Sequence, residues 1–268
     1  AIPYNFTVDE NSFVDDPMGM NGTRLEVSVH IVMAKKSIIN DLTQILKRVG
    51  LSVDNFVLDG YASSLSVLSE EDKELGVALV DLGGSSANII VYEGNNISFN
   101  ETIPIGSGNI TNDLYMILRT PLQVAEALKT QYGTLDKIDD EEISVKIPIT
   151  NSTATENIQL SYIQKIITAR VEEIFKHIKS KLQVANINQS KLKAGIVLTG
   201  GLTNLKGFKN YAIKELGTRS IKIGVPKQDT SSMLQFKDQS MSTVIGLVLY
   251  AFEESREYEI DSKNKLRY

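Results

Sequence analysis

Apolar and polar residues alternate at period two from Arg24 to Ala34, where Leu25, Val27, Val29 and Ile31 share one side, and this predicts a strand. From Lys35 to Val49 the spacing changes. Ile38, Ile39, Leu42, Ile45, Leu46 and Val49 fall at helical intervals, and Gly50 stops the helix. Leu51 to Asp59 reads as a second strand, Tyr61 to Leu68 as a short helix of small, closely packing residues, and Glu70 to Lys73 as a charged turn. A three-stranded meander follows: Gly76 to Val80 is a buried strand, Asp81 to Ser86 a tight polar turn, Ala87 to Tyr92 a returning strand, and Gly94 to Asn96 a turn into Ile97 to Ile103.

Asp113 to Tyr132 is expected to be helical, with a second start near Pro121 and a stop at Gly133. Ile143, Val145, Ile147 and Ile149 alternate as a strand, which makes the acidic run Asp139 to Glu142 a solvated loop. Ser161 to Leu182 places Ile163, Ile166, Ile167, Val171, Ile174, Phe175, Ile178 and Leu182 on one side of a long helix. After a linker at Asn186 to Ser190, Gly195 to Thr199 is a buried strand ending in Gly200-Gly201, a helix runs from about Leu205 to Leu216, and Ile221 to Val225 is a strand. Met241 to Glu253 closes the chain's pattern as a helix. Strands alternating with helices, and no internal repeat, predict an α/β architecture.

The 268 residues, 42% of them hydrophobic, suffice for one large or two modest domains. A net charge of -5 argues against a surface that neutralises phosphate along nucleic acid, so no nucleic-acid partner is expected. With no Cys and only His30 and His177, disulfides, thiolate metal sites and histidine clusters drop out. His30 reads as a strand-pairing residue and His177 as a helix-surface one. The best apolar run, Ile245 to Phe252, is far too short to span a bilayer, and Ala1 to Glu10 has no signal-peptide pattern. A cytoplasmic chain is expected, in which triplets such as Asn5-Phe6-Thr7, Asn96-Ile97-Ser98 and Asn151-Ser152-Thr153 carry no glycan.

Chemistry is expected at the two glycine turns, because glycine lets a backbone approach a ligand and offer N–H groups to phosphate oxygens. Asp81 ends a buried strand where a carboxylate can hold a metal ion through water, and Gly83 and Gly84 can donate amides to a β- or γ-phosphate. Alone, Asp81-Leu-Gly-Gly84 is weak evidence that reads first as an ordinary hairpin turn, and Gly200-Gly201 is also compatible with a plain strand-to-helix turn. Together, with a helical insertion between them, they form a narrower pattern of phosphate- and adenosine-contacting elements.

Several segments in order are similar to the FtsA family, actin-like proteins of bacterial cell division. Asp15 to Glu26 resembles the family's entry to a strand of subdomain 1C, and Asp81 to Ser86 its second phosphate loop. Ile105 to Asp113 and Leu118 to Glu126 resemble the segment that follows, and Ala169 to Ile174 the long helix of subdomain 2B. Val197 to Leu202 resembles the adenosine motif, and Ser242 to Tyr250 the helix that returns to subdomain 1A.

The resemblance implies an actin-like (ribonuclease H-like) ATPase fold with a partial subdomain 1C over 1–54, subdomain 2A over 55–110 and 193–238, subdomain 2B over 111–192, and a return helix to 1A over 239–268. It implies ATP and Mg2+ as cofactors, held by Asp81, Gly83, Gly84, Ser85, Ser86, Gly200, Gly201 and Leu202, with Asp81 toward the metal. Family members carry a third glycine and Thr-Thr-Asp where this chain has Ser85, Ser86, Ala87 and Asn88, which implies at most a weak ATPase. The sequence reads as beginning inside subdomain 1C, without the family's first phosphate loop or its C-terminal membrane helix, so weak ATP binding is expected of it alone. The implied role is an adaptor that binds the FtsZ C-terminal peptide, self-polymerises, recruits later division proteins, and reaches the inner face of the membrane at the division site only through a tail absent here. Arg170 and Glu173 are the candidate peptide contacts, the other reading being a solvated i,i+3 pair. A PilM-like pilus-assembly protein is the alternative, whereas a sugar or acetate kinase would need a catalytic carboxylate and substrate cleft that the sequence does not display.

Overall fold

The computed structural model describes residues 2–9, 11–14, 17–138, 143–227 and 237–252. The expected loop at Asp139 to Glu142, Asp15 and Asp16, and everything expected of the chain beyond 252 lie outside the described residues. Strands β1 (Ile2–Val8), β2 (Asn11–Val14) and β3 (Leu25–His30) form an antiparallel sheet in the order β2-β1-β3. Helix α1 (Lys36–Arg48) follows it and buries none of its residues.

The centre of the molecule is a five-stranded sheet in the order β10-β9-β4-β5-β6. Its strands are β4 (Val77–Leu82), β5 (Ala87–Glu93), β6 (Asn96–Ile103), β9 (Gly195–Thr199) and β10 (Ile221–Ile223). β4, β5 and β6 form the antiparallel meander that the apolar pattern predicts, while β9 and β10 add to it in parallel. All six residues of β4 are buried, as expected of a strand covered on both faces.

Side-chain parity divides this sheet. Ala78, Val80 and Leu82 of β4, with Ala87, Ile89 and Val91 of β5 and Ile196 and Leu198 of β9, join a large apolar cluster under helices α4 (Ser107–Leu118), α5 (Leu122–Tyr132), α6 (Leu160–Val184) and α7 (Phe208–Leu216). Val77 and Leu79, with Ile90, Tyr92 and Val197, face the other way, toward Leu68, Tyr61 and Val67 at helix α2 (Asp59–Val67). The eight apolar positions expected of the long helix are all buried in α6. Phe175 stacks 5.6 Å from Phe208 of α7, and each such buried side chain stabilises the fold by about 1.5–3 kcal/mol.

Three local expectations are corrected. Leu51 to Asp59 is not a strand: residues 51–58 are irregular and α2 already begins at Asp59, because no neighbouring strand offers them a ladder. Glu70 to Lys73 belongs to a helix, α3 (Glu70–Leu75), since the Ser69 hydroxyl accepts from the Asp72 amide while the Asp72 carboxylate accepts from Ser69 in a reciprocal capping box. The helix expected from Asp113 starts at Ser107, six residues earlier, where the Asn109 side chain accepts from the Gly106 amide. β1 and β2 were not expected, nor was β8 (Thr155–Gln159), which pairs with β7 (Ser144–Pro148).

A helix over 242–252, α8, crosses α2 at very close range. A Cβ placed on Gly246 would stand 1.7 Å from the Ala62 carbonyl oxygen, so the two helices touch backbone to backbone, and Tyr61 meets Tyr250 edge-on at 6.4 Å. Gly246→Ala should therefore force α2 and α8 apart at a cost of about 1–3 kcal/mol. Thermal denaturation followed by circular dichroism reads this as a lowered midpoint; an unchanged midpoint would show that the helices separate freely.

Candidate functional site

β4 and β9 run parallel with Asp81 opposite Thr199, so their carboxyl ends, and the turns that leave them, emerge side by side. This is the edge of an α/β sheet where ligands bind. Gly200 adopts φ +90, open to glycine, and a Cβ there would stand 2.5 Å from both Asp81 Oδ1 and the Leu82 carbonyl oxygen. The structure thus brings the Asp81 to Ser86 turn and the Gly200-Gly201 turn into direct contact.

The first turn is also fixed from the α4 side. The amides of Ser107 and Gly108, which open α4, donate to the carbonyls of Gly83 (2.9 Å) and Gly84 (2.7 Å). These are helix N-terminal donors with no partner in their own helix. A Cβ on Gly106 would meet the Gly84 carbonyl at 2.5 Å, so the turn lies flat against the helix entry. Gly84 and Ser85 are exposed at the tip, and their own amides have no acceptor among the described residues.

Asp81 is buried, on the α2 side of the sheet that parity assigns it. Its Oδ2 accepts from the Ser63 hydroxyl of α2 and, at 2.9 Å, from the Thr243 hydroxyl of α8, and Ser63 and Thr243 are themselves 2.9 Å apart. Thr199 Oγ1 lies 2.6 Å from Ser242 Oγ. The turn is thereby tied to both crossing helices. Asp59, the first residue of α2, is a second carboxylate here: desolvation and then the charge of Asp81 raise its pKa. Asn88, directly across the ladder from Asp81, has its Oδ1 occupied by the Thr102 hydroxyl at 2.9 Å. Among the described residues no group of three or more His, Cys, Asp or Glu side chains could hold a metal ion.

Next to the turns lies a cavity of about 310 Å³, lined by Ser107, Glu126, Lys129, Thr130 and Gly133 on one side and Gly201, Leu202, Asn204 and Leu205 on the other. Its size is at the lower end of ligand clefts, about 300–1,000 Å³. Lys129 is its fixed cation. With a side chain only 11% exposed, it donates to Glu126 Oε2 (2.8 Å), Thr111 Oγ1 (2.9 Å) and the Ser107 carbonyl (3.3 Å). Burial alone would raise the pKa of Glu126, but hydrogen bonds from Lys129 and Thr111 and the charge of Lys129 together lower it. The sequence motifs single out neither Glu126 nor Lys129; their i,i+3 spacing before Gly133 is the available signal.

Arg170 and Glu173 line a different groove, between α4 and α6. Arg170 is not the solvated surface residue of the simpler reading. Its Nε and Nη2 donate to the two carboxylate oxygens of Asp113 at 2.6 and 2.7 Å, and its Nη1 to Glu173. The hydrogen bond to Asp113 raises its pKa. His30 lies in β3, paired across to Ile2, and His177 is a surface residue 3.9 Å from Glu173, as expected.

Two outcomes follow from these pairs. Arg170→Ala should lower unfolding free energy by about 1–3 kcal/mol, because it strips a two-bond charge-assisted clip between two helices, whereas Glu173→Ala, at the more exposed end, should cost less than about 1 kcal/mol. Urea titrations of both variants measure this. The lowered Glu126 contributes stability that is present above its ordinary value of 4.5 and lost as pH falls through the folded one. Melting midpoints between about pH 6 and 3 should accordingly fall less steeply in Glu126→Gln than in the parent.

A family model described as cell division protein FtsA matches residues 78–246, and a model of the SHS2 domain inserted in FtsA matches residues 1–33. The cell division protein FtsA of Helicobacter pylori (strain ATCC 700392 / 26695) is 40% identical over 276 residues, which cover 100% of this chain and 56% of that protein. The chain therefore spans little more than half of that relative's length. Among solved structures, MreB5 of Spiroplasma citri bound to ADP superposes with a TM-score of 0.66 at 15% identity, over 85% of this chain and 68% of that one. The PilM-PilN type IV pilus biogenesis complex does so with 0.57 at 17%, over 81% and 58%. Likeness at such identities speaks for the fold alone, which is that of the actin-like ATPases. The match of the family model across the central sheet, both glycine turns and the helices between them establishes that this chain belongs to the FtsA family of cell division proteins.

Proposed function

We propose that this chain is the ATP-binding part of an actin-like adaptor of the bacterial division ring. The observation that carries the reading is the contact of the Asp81–Ser86 and Gly200–Leu202 turns beside a cavity with a fixed Lys129. The free amides of Gly84 and Ser85 suit phosphate oxygens, and the cavity past Gly201 suits the nucleoside, with the Glu126 carboxylate, held by Lys129, within it to accept from hydroxyl groups. Mg2+ characteristically takes one or two carboxylates, water and substrate phosphates, so Asp81, with Asp59 beside it, fits a metal that arrives with the nucleotide. When bound, the ion would screen phosphate charge. Asp81, held by Ser63 and Thr243, would stay fixed as it arrives.

In this reading 55–110 with 193–238 form subdomain 2A, 111–192 form 2B, and the flanks belong to 1C and 1A. The adaptor binds the FtsZ C-terminal peptide on 2B, polymerises through actin-like contacts, recruits later division proteins, and is peripheral at the inner face of the membrane at the division site. Among the described residues no helix is long and apolar enough to cross a membrane. The α4–α6 groove, with Ile117, Ile166 and Ala169 between its charges, supports the peptide part of the proposal.

Isothermal titration with Mg-ATP tests the nucleotide site. A Cβ on Gly201 meets nothing closer than Ser240 at 3.5 Å, so the fold has room for a side chain at this residue, which lines the cavity. Gly201→Val should weaken Mg-ATP binding by at least about tenfold and leave the melting midpoint within about 2 °C. Equal affinity of the variant and the parent would remove the cavity from the nucleotide site.

A further inference from the structure

The first two residues of α8 reach the ends of both strands that carry the turns. Asp81 and Thr199 stand opposite each other, and consecutive hydroxyls of α8 meet that pair: Ser242 Oγ lies 2.6 Å from Thr199 Oγ1, and Thr243 Oγ1 donates to Asp81 Oδ2 at 2.9 Å. Ser63 of α2 donates to the same Oδ2, and its hydroxyl stands 2.9 Å from that of Thr243. These three oxygens form a triangle that two hydrogens must serve, one on each hydroxyl. The other carboxylate oxygen is treated differently. No described residue donates to Oδ1, which stands 2.5 Å from where a Cβ on Gly200 would be. Asp81 is only 5% exposed, so its carboxylate is held by one oxygen and offers the other where the two turns meet.

We infer that Thr243 and Ser63 are positioning residues for the metal that accompanies the nucleotide: by holding Oδ2 they leave Oδ1 fixed and free for the water shell of a Mg2+ ion. The inference rests on the nucleotide reading above and deepens it. Mg2+ demands near-ideal octahedral geometry and usually keeps several waters, so a carboxylate that engages it through water must be fixed in direction as well as in place. Hydrogen-bond partners behind a metal-binding side chain supply that direction, and losing one weakens metal binding about 10- to 100-fold. Ser63 comes 18 residues before Asp81 and Thr243 comes 162 after it, so the two donors meet on Oδ2 only through the fold. Ser66 provides the contrast. Its hydroxyl donates to the Ser242 carbonyl at 2.7 Å, joining the same two helices without touching Asp81.

Isothermal titration of the 268-residue chain with ATP, in excess Mg2+ and again in EDTA, tests this. The ratio of Kd in EDTA to Kd in Mg2+ measures what the metal adds. Thr243→Val, which keeps the shape and removes the hydroxyl, should reduce that ratio about tenfold and leave Kd in EDTA within about twofold of the parent's. Thr243→Ser should restore the parent ratio. Ser63→Ala should act as Thr243→Val does, whereas Ser66→Ala should lower the melting midpoint with the ratio unchanged. The parent ratio in both Thr243→Val and Ser63→Ala, or losses of equal size with and without metal, would overturn the inference and make the hydroxyls simple braces between helices. No ATP binding by the parent chain in either condition would overturn the nucleotide reading itself, and this inference with it.

Discussion

The parallel register of β4 and β9 is the constraint on which the site depends. Opposing Asp81 with Thr199 sets two chain segments more than a hundred residues apart to end at the same level of the sheet, and the turns that follow cannot avoid each other. Gly200 resolves the crowding by having no side chain where Asp81 and Leu82 stand. Everything else at the site is hung from that contact: the α4 entry is held by the Gly83 and Gly84 carbonyls, and the cavity opens between α5 and the residues after Gly201.

Strand parity then explains why one buried carboxylate is tolerated in an otherwise apolar sheet. Even-numbered residues of β4 enter the large cluster under α6, and odd-numbered ones face α2 and α8, where hydroxyls of Ser63 and Thr243 are waiting for Asp81. A carboxylate buried without donors would be costly. Asp81 has two donors to a single oxygen, and the other oxygen lies at Gly200, on the side of the turns.

Much of this was legible in the residue pattern. The eight apolar positions of α6, the meander of β4 to β6, the order of the two glycine turns and the family resemblance all come from local periodicity or short motifs, which the chain displays without reference to its fold. What escaped depends on pairing at a distance. Leu51 to Asp59 has a strand's composition but no neighbour, and Thr155–Gln159 has little apolar alternation yet is a strand because Ser144–Pro148 lies beside it. Asp113 and Arg170 are 57 positions apart, so nothing in Ala169 to Ile174 announces that Arg170 is already taken. Glu126 and Lys129 look like an ordinary surface pair until α5 is set against the residues after Gly201. Ser69 and Asp72 were the exception, a local capping signal overlooked within a charged run.

The crossing of α2 and α8 at Ala62 and Gly246 has a mechanical side. One of these helices precedes the five-stranded sheet in the chain and the other follows it, and the two meet at this close backbone contact. The segment just before α8 is also tied to the second turn, by the Gly200 amide on the Gln239 carbonyl and by Asn204 on Asp238. The same crossing carries Ser63 and Thr243, the two hydroxyls on Asp81, so the helix crossing and the base of the Asp81–Ser86 turn are joined by hydrogen bonds through one carboxylate oxygen. Any change in how α2 crosses α8 therefore alters the donors of Asp81, and with them the base of the turn.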